Sequence, residues 1–96
     1  MNKNKISKLK KQLVRLRNGS ASIKSDDLQR FAKQLGRVRS SRGKEPTYVS
    51  ELLPYSAPIS IPDHSGTLKR FTAENILDAF EQDIFAFEEE LEQEGD

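Results

Sequence analysis

Ninety-six residues, 34% of them apolar and 32% charged, describe one small domain with a thin core and long solvated helices. With no cysteine, disulfides and thiolate metal sites are excluded, and a single histidine argues against a zinc centre. The net charge of +1 hides a gradient: residues 1–44 carry fourteen Lys and Arg against Asp26 and Asp27, whereas residues 71–96 carry ten acids and no base. Such asymmetry suits a polyanion-binding front half and an acidic tail that competes with the ligand or pairs with the basic end. No apolar run is long enough to span a bilayer or to form a signal-peptide core, so no membrane association and a cytoplasmic location are expected.

In chain order, residues 2–17 read as a helix. Ile6, Leu9, Leu13 and Leu16 step by three, four and three, a narrow apolar stripe, and lysines and arginines fill much of the remaining surface. Gly19 ends it as a left-handed cap. Ser25 is expected to cap a second helix, with Asp26 and Asp27 in its first turn and Leu28, Phe31, Ala32 and Leu35 on its buried face. After Gly36 the pattern shortens. Residues 37–40 read as a strand with Val38 inward and both arginines outward, residues 47–52 as a second, and residues 57–61 as a third. Turns at residues 42–46 and 53–56 make an antiparallel meander of them.

Pro62 ends the third strand, and Asp63, His64, Ser65 and Gly66 supply turn chemistry. Thr72 is the expected cap of a last helix over residues 73–92, with Glu74 opposing the dipole at its start. Leu77, Phe80, Ile84, Phe87 and Leu91 step by three and four along it, a coiled-coil spacing, and Ile76 widens the stripe. A helix of that length, about 30 Å, overhangs a three-stranded sheet. The oppositely charged first helix is the obvious cover, supplied either by the same chain or by a second copy in a homodimer through that stripe. The expected division is a basic helix over residues 1–22, a central domain over 23–82 and an acidic helical extension over 83–96.

Candidate binding residues follow from charge. Arg37, Arg39, Arg42 and Lys44 on the first strand and turn, with Lys69 and Arg70 before the last helix, form an expected phosphate-contacting patch. Tyr48 is positioned either to stack on a base or, as strand tyrosines more often do, to pack. His64, the lone histidine, is either a solvated turn residue or a proton carrier, since histidine titrates near neutrality unaided. No phosphate-cradling glycine loop and no serine–histidine–acid set is present.

Without its first helix the element order is α-β-β-β-α, that of the double-stranded-RNA-binding fold. Residues 25–82 resemble the HicA family of mRNA-interferase toxins. Ser25-Asp-Asp-Leu-Gln-Arg-Phe-Ala-Lys-Gln-Leu-Gly36 is similar to the family's helix, Ile61-Pro62-Asp63-His64 to its I-P-x-H segment, and Thr72-Ala-Glu-Asn-Ile-Leu77 to its closing helix. The resemblance implies an α+β RNA-binding domain, metal-independent endoribonuclease chemistry without a cofactor, and neutralisation by a HicB-like antitoxin. The family's catalytic histidine falls where this chain has Glu45, which leaves Glu45 or His64 to move the proton and puts cleavage in doubt. Two other readings stand beside it: a catalytically inactive RNA-binding module, and a protein-interaction or dimerisation module built on the two charged amphipathic helices.

Overall fold

A polar cap starts the first helix, and glycines follow the ends of the first two. The computed structural model describes residues 1–40, 46–63 and 66–94. Helix α1 spans Lys3–Asn18, and a 3-10 turn over Ser20–Ser22 leads to α2, Ser25–Gln34. Strands β1 (Arg37–Ser40), β2 (Thr47–Ser50) and β3 (Ile59–Ser60) precede the long α3, Arg70–Glu94. The fold is α+β, with the three strands in one antiparallel sheet of order β1-β2-β3. Among the described residues, no helix is long and apolar enough to cross a membrane.

Asn2 caps α1, its side-chain oxygen accepting the Lys5 N–H at 2.8 Å. Gly19 closes the helix with φ −105°, outside the left-handed region expected for it, and its N–H reaches the Arg15 and Leu16 carbonyls at 3.2 Å. Helix α2 begins at Ser25, its expected cap, so the cap position falls one residue earlier, at Lys24. Lys24 flanks it, donating its N–H to Asp27 Oδ2 at 3.1 Å. Ser25 lies inside, buried, and its Oγ accepts from Gln29 at 2.8 Å. Gly36, at φ +83°, turns the chain from α2 into β1. Helix α3 also starts early: Ala73 N–H bonds the Lys69 carbonyl at 2.9 Å, so Thr72 sits in the first turn and does not cap.

The strand register reverses one expectation. Arg37 pairs with Ser50, Val38 with Val49, Arg39 with Tyr48, and Tyr48 in turn with Ile59. Alternation then puts Tyr48, Ile59 and both arginines on the helix-covered face, and leaves Val38 on the open one, 40% exposed. A one-residue change of parity exchanges the faces of a strand, and burying the larger Tyr48 with Ile59 outweighs burying Val38. Strand β3 is two residues long, not five. Pro58 and Pro62 bracket it, and neither can donate to a ladder.

Helices α2 and α3 meet through Phe31 and Phe80, whose ring centroids are 5.1 Å apart. Helix α1 lies antiparallel along α3: Lys10 faces Glu88, and Arg17 faces Asp78 and Glu81. Its Ile6, Leu9 and Leu13 join Leu77, Phe80, Ile84 and Phe87 in a single core cluster. With 25 residues, α3 is about 37 Å long, and α1 covers its overhang within the same chain. The stripe that the sequence offers to a second copy is therefore filled in cis; Leu91 alone of its members is only half-buried.

Candidate nucleic-acid interface

Two of the residues expected to contact RNA from the sheet, Arg37 and Tyr48, lie inside the protein. Arg37 is 2% exposed. Its Nε donates to Asp83 Oδ2 at 2.7 Å, and Nη2 to Asp83 Oδ1 at 2.8 Å and Ser56 Oγ at 2.7 Å. Nη1 donates to the Tyr48 and Ala57 carbonyls at 2.9 and 3.2 Å. All five guanidinium donors are therefore spent inside the protein, and Arg37 is a structural ion-pair partner with nothing left for a ligand. Tyr48 is 1% exposed and cannot stack on a base. Both are corrections to the expected binding set.

The rest of that set is divided. Arg39 is half-exposed and pairs with Asp63 at 3.3 Å. Lys69 and Arg70 are exposed, Arg70 reaching Glu74 at 3.1 Å one turn along α3. Arg42 and Lys44, with the two candidate proton carriers Glu45 and His64, lie outside the described residues.

A signal for Arg37 was present in α3. Ile76, Phe80, Asp83 and Phe87 step by four, three and four, so Asp83 stands on the buried stripe. A carboxylate there requires a paired cation, and Arg37 is the one that the sheet supplies.

A different cationic surface is built by α1. Its apolar stripe at positions 6, 9, 13 and 16 has two flanks. One residue onward come Ser7, Lys10, Val14 and Arg17. This flank faces α3, where Lys10 Nζ lies 2.6 Å from Glu88, and Arg17 lies 2.9 and 3.4 Å from Asp78 and Glu81. One residue back come Lys5, Lys8, Gln12 and Arg15, and this flank faces α2. The acidic tail thus neutralises one side of α1 and leaves the other. Among the described residues, Lys5, Lys8 and Arg15 have no ion-pair partner.

Between that flank and α2 runs a trough made of two adjoining hollows, about 350 and 290 Å³, which share Gln12 and Gln34. Lys5 and Lys8 line one end, Arg15 and Arg30 the other. The one carboxylate in its wall, Asp27, is engaged by Arg30 at 2.8 Å and by the Lys24 N–H. Lys5 and Arg15 are ten positions apart, about 15 Å along the helix, with a carboxamide between them. Cations and amides in a row can hold a run of phosphates and a sugar edge. The trough wall contains no free carboxylate and no histidine, so it offers no proton carrier. The stripe-plus-flank pattern is visible in the sequence, but which flank meets the acids depends on how α1 lies on α3.

Compared with protein-family models, with curated proteins and with solved structures, the chain matches none.

Proposed function

We propose that this chain binds RNA, and that the α1–α2 trough holds the sugar-phosphate backbone. The observation that carries the reading is the one-sided neutralisation of α1: its α3 flank is paired with acids, while Lys5, Lys8 and Arg15 are left facing a groove. The α-β-β-β-α order behind α1 supports a core of the double-stranded-RNA-binding kind. Arg39, Lys69 and Arg70 add exposed positive charge outside the trough. In its HicA-like form the protein is a metal-independent mRNA endoribonuclease, with Glu45 or His64 moving the proton and a HicB-like antitoxin as partner; in its inactive form it binds without cutting.

The test is fluorescence anisotropy of the full chain with a labelled single-stranded RNA and with an RNA duplex, across a salt series. Four trough cations, each releasing about 0.7 of a counterion from a single strand, give a slope of log K against log salt of about −2.8. Affinity for the single strand should then fall about 50-fold between about 50 and 200 mM salt. Denaturing gels of the same mixtures separate the toxin from the silent binder by the presence of cleavage products. No association at the lowest salt, or one indifferent to salt, contradicts the proposal.

A further inference from the structure

A third hollow, of about 500 Å³, shares no residue with the trough. It lies between the β2–β3 connection and the C-terminal half of α3, with Leu52, Tyr55 and Ala86 giving it an apolar lining and Glu89 and Glu90 on its helical wall. Leu52 is 52% exposed and Tyr55 fully exposed, in a chain with few apolar residues to spare. Tyrosines presented beside a hydrophobic hollow are typical anchors of protein interfaces.

The connection is held in shape before anything docks. Arg37 donates to Ser56 Oγ at 2.7 Å and to the Ala57 carbonyl at 3.2 Å. At the other end of the connection, Leu53 N–H donates to Ser50 Oγ at 3.0 Å, and Ser56 N–H reaches the Leu53 carbonyl at 3.0 Å. A surface fixed in this way loses little conformational entropy on binding.

Charge selects the occupant. No Lys or Arg lines the hollow. Of the α1 cations, Lys10 and Arg17 are committed elsewhere on α3, at Glu88, Asp78 and Glu81. Among the described residues, Glu89 and Glu90 have no ion-pair partner. The helical wall from Gln82 to Gln93 extends about 17 Å, three turns of a helix.

We infer that this cleft docks a basic amphipathic helix of a partner protein. The partner's apolar side chains, at i, i+3 and i+4 spacing, sit against Leu52, Tyr55 and Ala86, and its lysines or arginines meet Glu89 and Glu90. This inference does not rest on the RNA reading, because it uses a separate surface of opposite charge.

The experiment titrates the full chain against a labelled amphipathic peptide of leucine and lysine, about fourteen residues long, enough for three to four turns. Two control peptides are used, one of the same composition shuffled so that no face is apolar, the other with every lysine replaced by glutamate. The variants are Leu52→Ser/Tyr55→Ser and Glu89→Lys/Glu90→Lys, each checked by circular dichroism. The amphipathic basic peptide should bind the unaltered chain saturably. Loss of two anchors or of the two acids should weaken it by about tenfold or more, the equivalent of 1.4 kcal/mol, and both controls should bind weakly. Equal binding of the shuffled peptide, or indifference to Leu52→Ser/Tyr55→Ser, reduces the site to general attraction by an acidic helix and overturns the inference. A dimer in sedimentation equilibrium that Leu52→Ser/Tyr55→Ser abolishes makes a second copy the occupant, and overturns it equally.

Discussion

Replacing Asp83 by Asn keeps the shape of the side chain and removes its charge, at a point where 1% of each partner's side chain is exposed. In the native protein the carboxylate accepts from Arg37 Nε at 2.7 Å, from Nη2 at 2.8 Å and from Ser56 Oγ at 2.8 Å. The amide keeps one acceptor oxygen and turns a donor toward a donor. The guanidinium then stays buried without a counter-charge, a loss of about 3–5 kcal/mol, against a total stability of about 5–15 kcal/mol for a domain. A domain of this size loses about 4–8 °C per kcal/mol, so the melting temperature should fall by at least about 12 °C. Removing both charges, as Arg37→Met/Asp83→Leu, should recover only part of this. The Tyr48 and Ala57 carbonyls lose their donor, at about 1–3 kcal/mol each where they stay unsatisfied. Arg39→Ala, which breaks only an exposed pair, should cost no more than about 1 kcal/mol. Urea unfolding followed by far-UV circular dichroism measures all three. A loss below about 1 kcal/mol for Asp83→Asn, in the range of an exposed pair, refutes the buried lock.

Gly36→Ala forces a side chain into the left-handed region, at about 1–2 kcal/mol, and places its Cβ 2.5 Å from Leu52 Cδ1; a thermal melt should show the drop. Phe80→Ala removes a fully buried ring stacked near Phe31 and should cost about 3–5 kcal/mol in chemical unfolding. A double-mutant cycle on Lys10 and Glu88 should return about 0.2–1 kcal/mol, shrinking as salt is added, because that pair is partly solvated.

The apolar spacing made the larger elements legible. The three–four steps of α1 and α3 located both helices and their mutual packing, and the turn residues located the three strands. Details of one residue escaped it. Whether β1 turns Val38 or Arg37 inward depends on register against Tyr48, which the short alternation in Arg37-Val38-Arg39 does not decide. Arg37, in a short segment rich in arginine, carries no local sign of burial; that sign lies 46 residues away, in Asp83 on the buried stripe of α3. The trough escaped for a related reason. Counting cations gives a basic helix, but only the antiparallel contact with α3 tells which of its flanks stays unpaired. The short β3 follows from Pro58 and Pro62 acting together, since neither can donate to a ladder on either side of Ile59–Ser60.

The most direct measurement compares the salt dependence of RNA affinity for the unaltered chain with that of Lys5→Gln/Lys8→Gln/Arg15→Gln, and with Lys10→Gln/Arg17→Gln as the matched control on the opposite flank. Three lost contacts should flatten the slope of log K against log salt by about 2, with the folded state intact, while the control keeps the native slope. A trough variant that retains the native slope and affinity, or a control that loses as much, contradicts the assignment of the backbone to the groove between α1 and α2.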